Sequence, residues 1–378
     1  MTKPLHVGLI GYGLNTVEHK VGLEMHPTLS GRTKLIVAYD PDLKAKQAIQ
    51  KLNDVKCANS LQDLLDTPKL EAVFISSPPQ FHANQAILAM ESGCHVFSEV
   101  PMAIKEDDIE KIISAEESSG KIYQLGENHC FLSEVLYAGY LAESGMIGPT
   151  VYAESEYLHD VTYRWRKDGR GDVDSPRIDS WYQLFDPLMY AHSIGPAQVA
   201  LGGIHKPMSF VEVTSYANDI GGYQGNPICK PAKSFQVGLF RTETEAIAKC
   251  ANSYIFAREP ARLLIQVIGR TGTYECYEIG KPGNLFLAEG HKITRSQNRK
   301  GRIRTINEED IAKVIPTIKR LYFVDSVRVM NDWLIAIEEN KKSTIHSKIA
   351  ANFCMAGIAA SKSARSGGKP HKIKVYNN

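Results

Sequence analysis

The chain has 378 residues, of which 43% are hydrophobic and 23% charged, and its net charge is +2. These are the proportions of a globular protein with room for two domains, and the near-neutral balance argues against nucleic acid or an anionic membrane as partner. Seven cysteines are scattered without a C-x-x-C pair, which speaks against a zinc site or disulfide framework and fits a reducing, cytoplasmic compartment. The glycine motif begins within a dozen residues of Met1, so no signal peptide is expected, and no apolar run approaches a membrane span.

In chain order, the first third alternates short apolar runs with helical segments. Strands are expected at 6–10, 35–39, 71–75, 95–98 and 122–125, with helices at 17–23, 42–52, 61–65, 83–91 and 107–119 between them. Ser60 and Asp63 have the spacing of a capping box, and Gly93 and Gly120 read as helix stops. This rhythm implies a doubly wound parallel sheet over residues 1–125. Near residue 126 the rhythm changes. A helix over 133–144, a strand over 150–157 and a helix over 187–201, kinked at Pro196, precede short strands at 210–216, 235–241, 246–254, 262–269 and 273–278. Strands without intervening helices imply a largely antiparallel sheet, and helices near 324–339 and 345–363 close a second, α+β domain over 126–378. Residues 288–306, rich in Lys, Arg and Gly, read as a solvated excursion.

Three motifs carry chemistry. Gly11-Tyr12-Gly13-Leu14-Asn15-Thr16 follows a strand and precedes a helix, the context in which a pyrophosphate sits on a helix N-terminus. The next strand ends at Asp40, whose carboxylate can accept bonds from ribose hydroxyls and would repel a 2′-phosphate, so NAD is favoured over NADP. Asp40 could instead merely cap the helix after it. Ser76-Ser77-Pro78-Pro79-Gln80-Phe81-His82 closes the third long strand, where a loop borders the cofactor crevice; His82 could equally be a cap residue. Phe97-Ser98-Glu99-Val100-Pro101-Met102 closes the next strand in the same way.

The glycine turn, the Ser77-Pro78 loop with its His82, the Gly93–Pro101 run, the Gly126-Glu127-Asn128 step and a histidine-bearing segment at His192 occur in that order. In this the chain resembles the Gfo/Idh/MocA oxidoreductase family over essentially its whole length. The resemblance implies an N-terminal Rossmann domain, a C-terminal α/β domain whose open sheet forms a subunit interface, NAD as cofactor and a sugar or related polyol as substrate. It implies contacts to the cofactor from Gly11, Gly13, Leu14, Asn15, Asp40, Ser77, Pro78, His82, Glu99, Pro101 and Asn128. The family's Glu-Lys-Pro is Glu99-Val100-Pro101 here, so its proton-handling lysine is absent. Its Asp-x-Gly-x-His-x-x-Asp pattern keeps the histidine as His192 but has Leu188, Tyr190 and Gly195 at the other three places.

Glu-Val-Pro, together with Glu127-Asn128-His129-Cys130-Phe131, Tyr157-Leu158-His159-Asp160 and His192-Ser193-Ile194-Gly195-Pro196, is similar to the branch of NAD-dependent glycoside hydrolases typified by bacterial α-N-acetylgalactosaminidases. In that branch NAD oxidises the 3-hydroxyl, the aglycone is eliminated, water adds and the hydride returns. The branch's tyrosines are replaced by Phe131 and Met189 here, with Tyr190 adjacent to the latter. From chemistry alone, oxidising a secondary alcohol needs a base poised near neutral pH, which a histidine supplies. The expected catalytic set is His192 on its helix as acid/base, Tyr190, His159 and Glu99. Asp160, Tyr163, Arg164 and Trp165 are candidates for binding the sugar. Three readings result: an NAD-dependent oxidoreductase acting on carbon 3 of a sugar or glycoside, a redox glycoside hydrolase or lyase working through a transient 3-keto sugar, and a non-catalytic NAD sensor. No metal is expected, and the chain is expected to form a homo-oligomer through the C-terminal sheet.

Overall fold

The computed structural model describes residues 3–13, 26–159, 186–218, 233–253, 261–288, 302–315 and 324–377. The chain divides into two compact units, one of residues 1–128, 318–354 and 376–378, the other of residues 129–317 and 355–375. Among the described residues no helix is long and apolar enough to cross a membrane.

The first unit is built on strands β1 (Leu5–Ile10), β2 (Thr33–Tyr39), β3 (Lys56–Cys57), β4 (Ala72–Ile75), β5 (His95–Ser98) and β6 (Tyr123–Leu125). They form one sheet in the order β3-β2-β1-β4-β5-β6, and every neighbouring pair is parallel. The order reverses between β1 and β4, so their carboxyl ends open a crevice for a ligand. Helices α1 (Leu43–Ile49), α2 (Leu61–Leu65), α3 (His82–Glu91) and α4 (Glu106–Ser119) connect the strands. In α4, Ile109, Ile112 and Ile113 recur at helical spacing and are buried, three acidic residues occupy the first turn, and Gly120 closes it at φ +64. The expected capping box at α2 is half formed. Ser60 accepts from Asp63 N, but the Asp63 carboxylate turns to Asn59 N and to Lys56 instead of Ser60 N. An aspartate is one methylene shorter than the glutamate that usually closes such a box, and Lys56 offers a cation.

A later helix, Val324–Glu338, also belongs to this unit. Its Trp333 is fully buried and meets Phe74 of β4 and Phe97 of β5 edge-on, with centroids 4.9 and 5.7 Å away. Such a side chain buries roughly 150–250 Å² and stabilises by about 3–5 kcal/mol relative to alanine. Beyond it, Ser343 Oγ donates to Tyr123 O and Leu125 N donates to Ile345 O, so the returning chain satisfies the outer edge of β6.

The second unit holds a nine-stranded sheet of β7 (Thr150–Leu158), β8 (Phe210–Asn218), β9 (Phe235–Thr242), β10 (Ile247–Ser253), β11 (Arg262–Gly269), β12 (Gly272–Cys276), β13 (Gly283–Leu287), β14 (Arg302–Ile306) and β15 (His371–Lys372). Its order is β14-β13-β12-β11-β7-β10-β9-β8-β15, antiparallel throughout except where β10 lies parallel to β7. Residues 302–306 of the expected excursion are thus an edge strand, and residues 289–301 lie outside the described ones. Helices α5 (Ser133–Glu143) and α6 (Ile194–Gly202) cover one face, α6 lying on β7, β10 and β11. Period-two alternation follows: Ala248 and Cys250 of β10 are buried, while Ile247 is exposed and Lys249 half-buried. On that other face Lys249 pairs with Glu154, and Arg262 with Glu156.

The expected helix over 187–201 is broken. Pro187–Tyr190 is a 3-10 turn, Ala191 takes the left-handed region at φ +66, and α6 starts only at Ile194. Pro196 causes no kink, because it lies in the first turn of α6, where its missing N–H has no helical partner to lose. His192 therefore sits in the break and not on the helix.

Candidate functional site

The glycine turn is fixed by the backbone around it. Gly11 has φ +89, and a Cβ there would lie 2.7 Å from Ser76 O and Ser77 N. The end of β1 and the loop after β4 approach too closely for any side chain. Among the described residues nothing lies within 4 Å of where a Cβ on Gly13 would be. Asp40, buried at the end of β2, accepts from Tyr12 N at 2.9 Å through one oxygen and from Asp42 N at 2.8 Å through the other. The cap of α1 is Asp42, which accepts from Ala45 N at 3.0 Å. Asp40 is thus not the helix cap. The close-approach turn and this buried carboxylate at the end of β2 fit a dinucleotide.

The two loops beside the turn are tied to each other. Ser77 Oγ donates to Gln85 Oε1, and Pro78 precedes a 3-10 turn, Pro79–Phe81. His82 is buried, with Nδ1 2.8 Å from Pro101 O and Nε2 2.7 Å from Ser77 O. Its ring therefore joins the Ser77-Pro78 loop to the Glu99–Pro101 loop. Burial pushes His82 below the usual histidine range, against the opposing pull of the Pro101 and Ser77 carbonyls and the Glu99 carboxylate. Glu99 is half-buried, with its backbone N–H on Ile75 O, and the Val100–Pro101 peptide is cis. Val100, at the lysine's place, is buried. Asn128 directs its amide to Asp325 at 2.6 Å. Leu14 and Asn15 lie outside the described residues.

In the second unit, five rings from three segments converge. His192 stacks on His129 with centroids 4.3 Å apart and planes at 22°, and meets Tyr157 and Tyr190 edge-on at 4.7 and 4.9 Å. Tyr157 also meets His129 at 5.1 Å and His159 at 5.6 Å, and its hydroxyl lies 2.8 Å from His159 Nδ1. Tyr157 lies in β7 and His159 one residue beyond its end, and the contact of hydroxyl with imidazole brings the two side chains together. The Pro187–Tyr190 turn is held over the sheet from three sides. Asn252 of β10 donates to Pro187 O at 2.8 Å, Gln236 of β9 accepts from Leu188 N at 3.0 Å, and Asp186 is bound by Ser361 and Arg365. Gly357 lets a helix pass against this turn, since a Cβ there would lie 2.8 Å from Met189 Cα.

The expected residues thus fall into two sets. Gly11, Gly13, Asp40, Ser77, Pro78, His82, Glu99 and Pro101 surround the carboxyl ends of β1, β2, β4 and β5, whereas His159, Tyr190 and His192 gather in the second unit. Asp160, Tyr163, Arg164 and Trp165 lie outside the described residues. Tyr157 and His129 were missed as site residues. Both stood in strings already singled out, Tyr157-Leu158-His159-Asp160 and Glu127-Asn128-His129-Cys130-Phe131, without being taken as site residues themselves.

A parallel sheet with this order, a glycine turn at its switch point and an acidic residue ending the second strand are the features of a dinucleotide-binding domain. Residues 5–127 match the model of the Gfo/Idh/MocA family, described as an oxidoreductase family with an NAD-binding Rossmann fold. That match covers the parallel sheet of the first unit and none of the nine-stranded sheet of the second. A 166-residue stretch is 30% identical to a 1-carboxy-3-chloro-3,4-dihydroxycyclohexa-1,5-diene dehydrogenase of Comamonas testosteroni, over 43% of this chain and 40% of that protein. Another, of 205 residues, is 27% identical to an alpha-N-acetylgalactosaminidase of Shewanella oneidensis, over 51% of this chain and 43% of that protein. The matches therefore span less than half the length of these relatives. The whole fold is similar to that of levoglucosan dehydrogenase in complex with NADH, with a TM-score of 0.77 and 17% identity over 99% of this chain and 100% of that one.

Proposed function

We propose that the protein is an NAD-dependent oxidoreductase acting on a secondary hydroxyl, at carbon 3, of a sugar or glycoside. The observation that carries the reading is the imidazole–phenol cluster of His129, Tyr157, His159, Tyr190 and His192 in a chain whose first unit is an NAD-binding domain. A mere NAD binder has no use for five such rings held together. NAD, when bound, accepts and returns a hydride. Gly11 and Gly13 would admit its pyrophosphate, Asp40 would take the ribose hydroxyls, and Glu99 and Pro101 would shape the loop for the nicotinamide. In the second unit the cluster around His192 would hold the sugar and move the proton, with Asp160, Tyr163, Arg164 and Trp165 supplying further sugar contacts.

A second reading is favoured by the likeness to an alpha-N-acetylgalactosaminidase and by the Glu99-Val100-Pro101 string: the same oxidation serving glycoside cleavage, with the hydride returned each turnover. Denaturing purified protein and assaying the supernatant for NAD, then supplying aryl glycosides without added cofactor, separates the two. Stoichiometric NAD with aglycone release supports the hydrolase; bulk NADH formation without aglycone release supports the dehydrogenase. Neither, with His192→Ala behaving as wild type, leaves an NAD sensor. Location in the cytoplasm and a homo-oligomer formed through the open face of the nine-stranded sheet are parts of the same proposal; light scattering of the purified chain tests the latter.

A further inference from the structure

Residues two apart in a continuous helix are turned about 200° from one another and do not meet. In an unbroken helix from Pro187 to Leu201, Tyr190 and His192 would point away from each other. The 3-10 turn and the left-handed Ala191 bring them together instead, with their rings 4.9 Å apart. Nothing local makes that break, since position 191 is alanine and not glycine, and a left-handed alanine is disfavoured. We propose that Asp186, Gln236, Asn252 and Arg365 are positioning residues for turnover, holding the broken segment so that the rings of Tyr190 and His192 meet. This rests on the oxidoreductase reading above.

The sheet supplies one half of the grip. Gln236 of β9 and Asn252 of β10 are cross-strand neighbours, both fully buried, and they take consecutive residues of the segment. In an unbroken helix Pro187 O would accept from Ala191 N. That N–H goes to Leu188 O at 3.2 Å instead, and the Asn252 amide takes its place on Pro187 O at 2.8 Å. Gln236 accepts from Leu188 N, a first-turn donor without a helical partner. Its amide cannot be turned round. Nε2 donates to Ser215 Oγ at 3.1 Å, and Ser215 Oγ itself donates to Val237 O at 2.9 Å, which leaves Oε1 for Leu188 N.

A helix supplies the other half. Gly357, Ser361 and Arg365 stand four apart along the helix Ser347–Arg365 and so share a face. Gly357 admits the backbone of Met189, where a Cβ would clash. Ser361 Oγ and Arg365 Nε, the latter at 3.1 Å, donate to one oxygen of Asp186, and Arg365 Nη2 donates to the other at 3.2 Å. A guanidinium that engages both oxygens fixes direction as well as distance. Asp186 is only 2% exposed, so the first residue before the turn is anchored in the interior, although the arginine that holds it lies largely in solvent.

Misplacing a reacting group by about 1 Å can cost about 100-fold in rate, so Arg365→Ala should lower kcat about 10- to 100-fold, with NAD affinity within about twofold of wild type. Added methylguanidinium should restore part of the rate, and Arg365→Lys, which keeps the charge but not the fork, should fall between. In the protein without substrate, the ring-proton resonances of His192, displaced by the Tyr190 and His129 rings, should shift in Arg365→Ala. That variant leaves Asp186 buried without its cation. Should it not fold, the paired change Asp186→Asn with Arg365→Gln removes both charges and should show the same loss and the same shift. A lower melting temperature, with wild-type kcat below it and unmoved His192 resonances, would make the grip merely structural and overturn the proposal. If the unaltered protein binds NAD but turns over no sugar or glycoside, the oxidoreductase reading fails, and the His192 resonances alone decide whether the grip places the ring.

Discussion

The crevice of the parallel sheet and the ring cluster of the second unit are built in opposite ways. In the first, backbone dominates. Gly11 lies against Ser76 and Ser77, Asp40 accepts from Tyr12 N and Asp42 N, and His82 bridges two carbonyls. In the second, side chains meet across long sequence separations, with His129, Tyr157 and His192 touching through their rings. On the proposed function, a cofactor common to many enzymes would be held by a geometry many sequences can encode, and the sugar by side chains chosen residue by residue. Substitutions in the crevice should therefore move NAD affinity, and substitutions in the cluster should move turnover.

The largest effect is expected from Gly11→Ala. It combines a positive φ with a Cβ 2.7 Å from backbone atoms, a strain and clash of roughly 3 kcal/mol, or about 100-fold in NAD affinity by calorimetry. Asp40→Asn comes next. It keeps one acceptor oxygen but loses the charge, so NAD should bind roughly tenfold more weakly, and discrimination against NADP should narrow. If either variant changed kcat but not NAD affinity, the division of labour would be wrong.

Acid should loosen the first unit. His95 Nδ1 accepts from Ile122 N at 3.0 Å at the β5–β6 edge, and burial, then Lys121, lowers its value from 6.5 to about 4, with Glu71 opposing. Since the unfolded chain takes up a proton that the folded one refuses, stability is complete above about pH 6.5 and falls as pH drops from there towards about 4. Thermal unfolding followed against pH should show that slope, and His95→Gln should lessen it, leaving the share contributed by the buried His82 and His346. Ala191→Gly is the smallest change. It relieves a left-handed alanine at φ +66, but gives the unfolded chain more freedom. A net gain of up to about 1 kcal/mol in stability is expected in denaturant melts, with turnover unchanged or reduced as the turn bearing His192 loosens.

The same contrast explains what the sequence revealed. The strands, the glycine turn and Asp40 were legible because local pattern and backbone conformation coincide there, and the parallel sheet followed from the alternation of strand and helix. The break before His192 was not. Pro187 and the apolar run after it read as one helix, and only Asn252, Gln236 and Gly357, far off in the chain, hold the turn apart from α6. Trp333 gave no sign that it would return some 200 residues later to cover β4 and β5. His129 stood in the Glu127–Phe131 string, but only its stacking on His192 marks it as a member of the cluster.

Hydride transfer from sugar to cofactor is the central claim, and an isotope reports on it most directly. Protein charged with NAD is mixed with an aryl glycoside deuterated at carbon 3, quenched within a single turnover, and the nicotinamide examined by mass spectrometry. Deuterium on the reduced nicotinamide is the predicted result, whether the enzyme goes on to release a ketone or to cleave the glycoside. Deuterium remaining wholly on the sugar, with NAD bound and the glycoside consumed, would contradict the account.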